Sequence, residues 1–533
     1  MPGMRGTVLS CRYDIAVVGS GFAGSLLAMI AQRLGLCVIL LERGTHPRVV
    51  IGESSTPLSN LLLEELATRY NLSNLRPLSK WGSWRVTHPE LPCGLKRGFS
   101  FFHHLPGQSG SIMRESQLLV AASPHNAIAD THWYRADFDQ FLVREAQNLG
   151  VDYMDKIHLR EFAENGGEVR LSGTRNGSSV TITARFVVDA TGPRGFLHRA
   201  LNLGENALPD FPATQALYSH FRGVPRFDKI GAAIVESEPP YPIDDAAMHH
   251  VFNGGWVWVL RFSNGIISAG VAATDEVANR LKFADGAPAW ERLLQQLPVL
   301  REQFSTAEAV QPFQHISQLA FRSASVTGPN WALLPSAAGF VDPLLSTGFP
   351  LTLLGIARLA GIIEHNWGSE SFTMRLSDYA ARTDAELLVT SRLIGALYAN
   401  MANFPVFATL SLLYFAAASY AETARRLGKP YLASSFLLHD HPQFGPACAH
   451  LLGRALTIQS SRESEALIED VFRAIEPIDV AGLGDRTRHN WYPVTADDLL
   501  CAAHKVDASY GQILQMLDRC GFRPATLQIS AQS

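Results

Sequence analysis

The first forty residues alternate between apolar, strand-like runs and a helical pattern. An apolar, β-branched run at residues 15–18 predicts a strand that is buried on both faces, as in a parallel sheet. A helix is predicted at about 23–34, where Gly35 ends it, and the run CVILLE at 37–42 predicts the second strand. The order of strand, turn, helix and strand is typical of a nucleotide-binding α/β unit.

The pattern further along divides the chain into regions. Residues 178–195 are strand-rich and end in an Asp-Ala-Thr-Gly turn, and a β-rich region follows from about 205 to 325. A strand, a loop and a long helix return at 330–367, and beyond about 380 the pattern is almost wholly helical. We therefore predict interleaved domains: an α/β domain in two parts (12–200, with inserted elements, and 326–380), a β-rich substrate domain (201–325) and an α-helical C-terminal region (381–533).

Residues 254–265, GGWVWVLRFSNG, predict a strand with two distinct faces. Side chains alternate with period two along a strand. One face carries Trp256, Trp258 and Leu260, and the other carries Val257, Val259 and Arg261.

Two segments bear on membrane insertion and export. The most apolar window, at 404–420, is short for a membrane span and has Pro405 near its start, which favours a buried core helix. The first twelve residues have no apolar stretch of the kind that signal peptides need. We expect a cytoplasmic protein with no membrane span.

Composition narrows the class of protein further. Hydrophobic residues make up 47% and charged residues 18% of 533 residues, which indicates a globular chain with large cores. The net charge is −4 and no dense run of Lys and Arg occurs, so we expect no nucleic-acid partner. The cysteines form no CxxC pair, and the sequence has neither HExxH nor a Cys/His cluster, so we expect reduced thiols and no metal site.

The first strand and helix are joined by GxGxxG, formed by Gly19, Gly21 and Gly24 with Phe22 and Ala23 between them. The first glycine permits the tight turn, the second admits the pyrophosphate, and the third allows close packing of helix and strand. The helix N-terminus favours the anion, and Glu42 at the end of the next strand can accept from ribose hydroxyls.

FAD is favoured over NAD, because the motif is N-terminal and further flavoprotein-like segments follow it. No second GxGxxG is present, so no separate nicotinamide domain is visible. The predicted fold class is α/β: a Rossmann-type FAD-binding domain interleaved with a β-rich substrate domain, plus an α-helical C-terminal region.

Four segments resemble those of the flavin-dependent halogenases, with the closest resemblance to the phenol halogenases. They are HPRVVIGESSTP (46–57), LPCGLKRGFSFFHH (91–104), WYRADFDQFL (133–142) and PSAAGFVDPLLSTGFPLT (335–352). The family lies within a larger group that includes the single-component aromatic hydroxylases and geranylgeranyl-reductase-like proteins. The resemblance covers residues 12–370 well and the helical region only loosely.

The resemblance makes Lys96 the catalytic lysine. In the family, reduced FAD and O2 give a C4a-hydroperoxide that oxidises halide to hypohalous acid, which the lysine delivers to an aromatic ring. A buried ammonium has a lowered pKa and can take either protonation state, unlike arginine. The alternative is an ordinary surface lysine, but the glycines and phenylalanines around Lys96 favour a buried one.

The resemblance also implies where the flavin and the halide bind. Ser346, Thr347 and Gly348 would hold chloride or bromide, and Pro350 suits the first position of the helix that follows. Further flavin contacts are implied, besides the GxGxxG turn and Glu42, for Arg43, Ser54, Arg135, Ser336, Asp342, Gly348 and Phe349. For Arg135 a helix-terminal salt bridge is an equal alternative.

This sequence departs from the family's pattern in three places. Pro335-Ser336 replaces Gly-Asp, so Ser336, or less favourably Asp342, would bind the ribityl chain. Leu345 replaces a glutamate that tryptophan halogenases have, which argues against free tryptophan as substrate. Leu260-Arg261 replaces Ile-Pro after Trp-x-Trp. Trp256 and Trp258 either form the wall that keeps substrate from the flavin or are simply core residues.

The resemblance implies FADH2-dependent halogenation of a phenol- or pyrrole-like aromatic in secondary metabolism. The partners implied are a separate flavin reductase and an acceptor that is free or carried on a protein. The helical region either lines a pocket for a large acceptor or forms a dimer face. The alternatives are a non-halogenating FAD-dependent monooxygenase or oxidoreductase on the same fold, and a catalytically silent FAD-binding protein.

Overall fold

The computed structural model describes residues 12–230 and 238–522. The N-terminal segment in which a signal peptide was sought, residues 1–11, lies outside the described residues. So does the end of the helical region, beyond residue 522.

The strands, in chain order, are short in the second half of the chain. They are β1 Arg12–Val18, β2 Val38–Leu41, β3 Cys93–Lys96, β4 Gly98–His103, β5 Gln117–Ala121, β6 Asp130–Trp133, β7 Asp152–Met154, β8 Ile157–Asn165, β9 Glu168–Arg175, β10 Ser178–Asp189, β11 Thr214–Arg222, β12 Ala247–Phe252, β13 Gly255–Arg261, β14 Ile267–Thr274, β15 Glu308–Ala309, β16 Gln314–Ile316, β17 Phe321–Arg322, β18 Thr327–Gly328, β19 Trp331–Leu333, β20 Gly339–Phe340 and β21 Trp491–Tyr492.

The longest helices lie after residue 347. The α-helices are α1 Phe22–Arg33, α2 Pro57–Arg69, α3 Trp81–Thr87, α4 Arg135–Asn148, α5 Phe196–Ala200, α6 Asp275–Leu281, α7 Ala287–Gln296, α8 Pro298–Gln303, α9 Pro335–Ala338, α10 Gly348–Asn366, α11 Phe372–Ala399, α12 Phe404–Arg426, α13 Phe444–Ala455, α14 Ser461–Ile475, α15 Ala496–Cys501 and α16 Tyr510–Cys520.

The first sheet is the nucleotide-type sheet expected from the sequence. Its strands lie in the order β18-β19-β10-β1-β2-β7, and β9 and β8 extend it from β10. β1 is central and pairs in parallel with both β10 and β2. Ile15, Ala16 and Val17 are fully buried, because helices cover both faces of such a sheet. The predicted α/β class, with a helical C-terminal region, is confirmed.

The second sheet joins three regions of the chain. Its strands lie in the order β15-β11-β14-β13-β12-β4-β5-β21, with β16 also paired to β11. β4 and β5 come from the first 200 residues and β21 from the helical region, so neither sheet follows one continuous segment. The two faces of β13 enter different cores: Trp256, Trp258 and Leu260 face the large core, whereas Val257 and Val259 face a smaller core around α6–α8.

Two helical segments, Leu344–Asn366 and Phe404–Arg426, have the length and composition of a membrane span. In the most apolar window of the second, 83% is buried inside the protein, and in the first 67%. That degree of internal packing is typical of core helices in a globular protein. The prediction of a buried helix at 404–420 is in agreement with this packing.

Candidate active site

The turn between β1 and α1 requires glycine at two positions. Gly19 has φ +100°, and a Cβ there would lie 2.7 Å from the Ala190 carbonyl carbon. A Cβ on Gly24 would lie 1.9 Å from the Gly19 oxygen, so the third glycine lets the helix start against the turn. No side chain caps the N-terminus of α1, where Gly21 is the N-cap, and its first N–H groups are therefore suited to an anion.

A cavity of about 580 Å³ extends from this turn to the N-terminus of α10, and we call it the first cavity. It is large enough for a dinucleotide cofactor, since such sites span several hundred cubic ångströms. Predicted residues that line it are Gly21, Phe22, Ala23, Ser54, Arg135, Trp256, Trp258, Ser336, Asp342, Ser346, Thr347, Gly348 and Phe349.

Glu42 follows the end of β2, as the sequence predicts, and its carboxylate is already engaged. It accepts from the Ser20 N–H (3.1 Å), the Ser20 hydroxyl (2.9 Å) and the Gly44 N–H (2.9 Å). Burial alone would raise the pKa of Glu42, but Arg48 and these N–H groups lower it. Arg43 beside it is exposed and does not line the first cavity.

Arg135 forms the helix-terminal salt bridge that was one of the two interpretations of its sequence, while its contact with a flavin stays a prediction. It is the first residue of α4 and forms a two-pronged ion pair with Asp139, at 2.7 and 2.8 Å. It also donates to the Gly52 carbonyl at 3.0 Å and lines the first cavity beside Gly21. Its guanidinium lies 5.0 Å from the centre of the Phe22 ring. Asp139 and Gly52 therefore hold the Arg135 guanidinium in place at the lining of the first cavity.

The segment 342–348, which we call the halide turn after the halide site that the family resemblance implies there, has an unusual backbone. Leu345 and Ser346 have φ values of 62° and 56°, in the left-handed region that side chains other than glycine rarely adopt. Helix α10 begins at Gly348, so Pro350 is its third residue, not the first as the sequence suggested. Strained backbone persists only where surrounding contacts hold it.

Asp342 provides that support. Its buried carboxylate accepts from the Leu344 N–H (2.9 Å), the Trp256 indole N–H (3.2 Å) and the Tyr398 hydroxyl (2.9 Å). Burial raises the pKa of Asp342 to about 7, although the three donors oppose that shift. Because both oxygens are engaged, Asp342 links β13 and α11 to the halide turn.

Trp256, Trp258 and Leu260 form one wall of the first cavity. Both indoles are also buried, at 1% and 6% exposure, and their ring centres are 5.7 Å apart. Arg261 lies on the opposite face, where it pairs with Asp244 at 3.0 Å and donates to the Val224 and Pro225 carbonyls. The departure from Ile-Pro therefore leaves the apolar Leu260 at the cavity and directs the charge of Arg261 away from it.

Lys96 is completely buried at the end of β3. Its ammonium donates to the Ser54 hydroxyl (2.8 Å) and the Ser55 carbonyl (2.5 Å), and lies 3.7 Å from the centre of the Phe99 ring. Burial lowers the pKa of Lys96 to about 7, against the opposing attraction of Asp130. The surface-lysine alternative is wrong, because this side chain has no exposed area.

A second cavity of about 160 Å³ lies on the other side of Lys96. Its lining combines Thr56, Asn60, Phe99 and Asp130 with side chains of α12, α15 and α16 and their connections, among them Tyr414, Phe415, Ala418, Leu499, Met516 and Leu517. Ser54, a partner of Lys96, lines the first cavity, whereas Phe99 and Asp130 line the second. Lys96 itself lines neither cavity, but its partner Ser54 lines the first and its neighbour Phe99 lines the second, which places it between them.

Sequence reasoning missed Asp130, Asn60 and the whole lining of the second cavity. The one available indication was an aspartate beginning a short, otherwise unremarkable strand, IADTHWY. Its position becomes meaningful only because β6 pairs with β3, which sets Asp130 directly opposite Lys96.

Comparison with known proteins agrees with these features. The sequence model of a family described as tryptophan halogenase matches residues 121–403. Tetracycline 7-halogenase of Kitasatospora aureofaciens is 26% identical over 403 residues, 74% of this chain and 71% of that protein. Monodechloroaminopyrrolnitrin halogenase PrnC of Pseudomonas fluorescens is 28% identical over 385 residues, 71% of this chain and 66% of that protein.

The fold is also that of a solved structure. Halogenase PltM in complex with phloroglucinol and FAD has a TM-score of 0.76 to this chain, with 21% identity. The match covers 90% of this chain and 99% of PltM, so it includes most of the helical C-terminal region.

Proposed function

The chain belongs to the tryptophan halogenase family, and from this membership and the two cavities we infer that it is an FADH2-dependent halogenase of an aromatic ring. It is an FAD-dependent oxidoreductase. The observation that carries the proposal for its own residues is the position of Lys96, buried between the first cavity and the second.

The residues of the first cavity fit FAD. The uncapped N-terminus of α1 suits a pyrophosphate, and Arg135 and Ser336 line the cavity further in. When bound, reduced FAD would activate O2 by giving it two electrons, and the activated oxygen would oxidise halide to hypohalous acid. Ser20, Gly44 and Arg48 hold the Glu42 carboxylate in place beside the turn.

Thr347 and Gly348 are proposed to hold the halide. They lie at the N-terminus of α10, whose first N–H groups and dipole attract an anion, and both line the first cavity with Ser346. Trp256 and Leu260 form the apolar wall opposite, which keeps an organic substrate out of this space.

Lys96 is proposed to pass the oxidised halogen from the first cavity to the second. Its ammonium can donate a hydrogen bond to hypohalous acid, and burial keeps the pKa of Lys96 at about 7, so it can also give up a proton. Ser54 and the Ser55 carbonyl orient the ammonium and hold it at the boundary of the two cavities.

The acceptor is proposed to be a single electron-rich ring, such as a phenol or a pyrrole. A cavity of about 150 Å³ is enough to hold benzene, and the second cavity measures about 160 Å³. Phe99, Tyr414 and Phe415 offer aromatic faces to such a ring. The cavity volume limits the size of the reacting ring and not of the molecule that carries it. The proposal therefore includes both a free acceptor and one attached to a carrier protein.

A separate flavin reductase is proposed as the source of FADH2, since the sequence has a single GxGxxG. We place both proteins in the cytoplasm, in secondary metabolism. The homodimer stays a prediction. No observation favours the non-halogenating alternative, because Arg261 points away from the first cavity.

The test is crystallisation of the FAD-bound protein with bromide and collection of anomalous diffraction. We expect a bromine peak beside Thr347 and Gly348, and consumption of bromide when FADH2 and O2 are supplied. A Thr347→Val crystal grown under the same conditions is the control, in which the peak should weaken. If bromide is neither bound nor oxidised at saturating concentration, the proposed function is wrong.

A further inference from the structure

Asp130 is a buried carboxylate with one unused oxygen. Its side chain is only 6% exposed, and Oδ1 accepts a hydrogen bond from the Asn60 amide at 2.9 Å. Oδ2 is buried as well, and no donor among the described residues reaches it. A buried acceptor without a partner costs folding free energy, so a donor supplied by a ligand would be favoured there.

Asp130 is part of the lining of the second cavity. Asp130 and Asn60 both line it, and Phe99, Tyr414 and Phe415 provide its apolar walls. The lining therefore combines aromatic faces with the Asp130–Asn60 pair, and it also contains the charged side chains of Glu64, Lys80, Glu422 and Arg426. An aromatic ring that carries one O–H or N–H donor matches this distribution of polar groups.

Asp130 also lies directly opposite Lys96. The two residues are a pair in the antiparallel β3–β6 register, so their side chains leave the sheet on the same face. Both are described residues, yet no direct ion pair joins them. The ammonium instead donates to Ser54 and Ser55, and the carboxylate accepts from Asn60. The Asp130 carboxylate is therefore close to Lys96 in the sheet without being held in an ion pair with it.

We propose that Asp130 is a catalytic residue that accepts the hydroxyl or N–H proton of the acceptor ring and so selects phenol- and pyrrole-like substrates. The inference rests on the proposed halogenase function and adds its substrate-recognition group.

For a phenol the step balances as follows. Asp130 takes the hydroxyl proton, the ring carbon forms a bond to the halogen of hypohalous acid, and the O–halogen bond breaks. The departing hydroxide takes a proton from the Lys96 ammonium and leaves as water. The Lys96 amine then removes the hydrogen from the halogenated carbon, and Asp130 returns its proton to the oxygen. Both side chains end as they began.

The charge environment supports a carboxylate that exchanges protons. Burial raises the pKa of Asp130 to about 7. The charge of Lys96, the Asn60 hydrogen bond and the charge of Arg426 lower this pKa, whereas the charge of Glu422 raises it. Tyr414 also faces Asp130, and burial raises the pKa of its hydroxyl well above neutrality, so it stays protonated.

The test compares acceptors that differ only in the donor hydrogen. Phenol and anisole, and pyrrole and N-methylpyrrole, are supplied to the wild type and to Asp130→Asn with FADH2, O2 and bromide. We expect the variant to lose about 100-fold or more in kcat/KM for phenol and pyrrole. The slow reactions of anisole and N-methylpyrrole should change far less. Asp137→Asn, at a half-buried carboxylate that lines neither cavity, is the control and should behave as the wild type.

A merely structural role, as a counter-charge for Lys96, would lower the rates of all four acceptors by the same factor, and that result would overturn the inference. Equal rates for phenol and anisole in the wild type would also overturn it. Hypohalous acid formation without acceptor, measured with a diffusible trap, separates the two proposals. Loss of that reaction in the wild type contradicts the halogenase function, whereas its persistence in Asp130→Asn shows that only acceptor chemistry was changed.

Discussion

Lys96 is a charged side chain without exposed surface, and such a group is rare in proteins unless it is paired or used. Two neutral oxygens and one aromatic ring satisfy its hydrogen bonds without cancelling its charge. These contacts fix the ammonium between Ser54, which lines the first cavity, and Phe99, which lines the second.

Replacing Lys96 with Met should abolish halogenation of the acceptor, by more than about 1000-fold, because no group then transfers the oxidised halogen between cavities. FAD binding and hypohalous acid formation should persist, since neither depends on Lys96. Flavin absorbance, a diffusible halogen trap and product analysis measure the three properties separately. Lys229→Ala, at an exposed lysine, should leave all three unchanged. Full halogenation by Lys96→Met would show that the lysine assignment is wrong.

The rate of halogenation should depend on pH in a bell-shaped manner. Burial lowers the pKa of Lys96 to about 7 and raises the pKa of Asp130 to about 7, and their mutual attraction opposes both shifts. Below about pH 7 the Asp130 carboxylate becomes protonated, and above about pH 7 the Lys96 ammonium loses its proton, so the rate falls on both sides. Because the groups interact, the two limbs belong to the pair and not to either residue.

The measurement is kcat/KM for the acceptor as a function of pH, with hypohalous acid formation recorded in parallel. His132 and His249 stay neutral near pH 7, because burial lowers the pKa of each far below its usual range, so they add no limb. In Asp130→Asn the acid limb that is specific to acceptor halogenation should disappear, whereas a limb from Asp342, whose pKa burial also raises to about 7, would appear in hypohalous acid formation as well. A wild-type profile that stays level on the acid side would contradict the assignment.

At the scale of elements, a hydrogen bond from Trp256 connects strand β13 to the halide turn. The Trp256 indole donates to Asp342, and Asp342 accepts from Leu344 in the turn whose next two residues have left-handed backbone. Trp258 donates instead to Ser268 within the sheet. The two indoles therefore share a wall but differ in what they support.

Trp256→Phe should raise the KM for halide about 10-fold, because it removes a hydrogen bond to a buried carboxylate and leaves the turn less firmly held. The aromatic wall is kept, so FAD binding should change little. Trp258→Phe is the matched control and should leave the KM for halide near its wild-type value. Steady-state kinetics at saturating FADH2 gives both values. If both substitutions changed the KM for halide equally, Trp256 would serve only as part of the wall and would not position the halide turn.

At the scale of the whole molecule, the features that are local in sequence were predictable. The glycine turn and the two faces of Trp256–Val257 follow from spacing alone, and both lie where periodicity placed them. The opposition of Lys96 and Asp130 depends on the pairing of two short strands, and no local pattern encodes that register. Likewise no sequence pattern predicts that β21, after residue 490, lies beside β5.

The second cavity is the clearest consequence of this long-range assembly. Asp130 and Asn60 come from the first 130 residues, while α12 and the segments after 480 complete the lining and add Glu422 and Arg426. The helical region, whose use the sequence left open, therefore lines a pocket in the described structure. The part of the chain with the weakest family resemblance provides much of the surface that an acceptor would contact.

A substitution on α12 should then separate acceptor chemistry from halide oxidation. Ala418→Trp introduces an indole into a cavity of about 160 Å³, which leaves too little room for a second aromatic ring. Halogenation of phenol should fall by at least about 100-fold, which corresponds to loss of about 3 kcal/mol of acceptor binding. FAD binding and hypohalous acid formation should remain, because the first cavity is unchanged. Ala449→Trp, at an exposed position of α13, is the matched control and should retain full activity. If Ala418→Trp halogenated phenol at the wild-type rate, the acceptor would have to bind outside the second cavity.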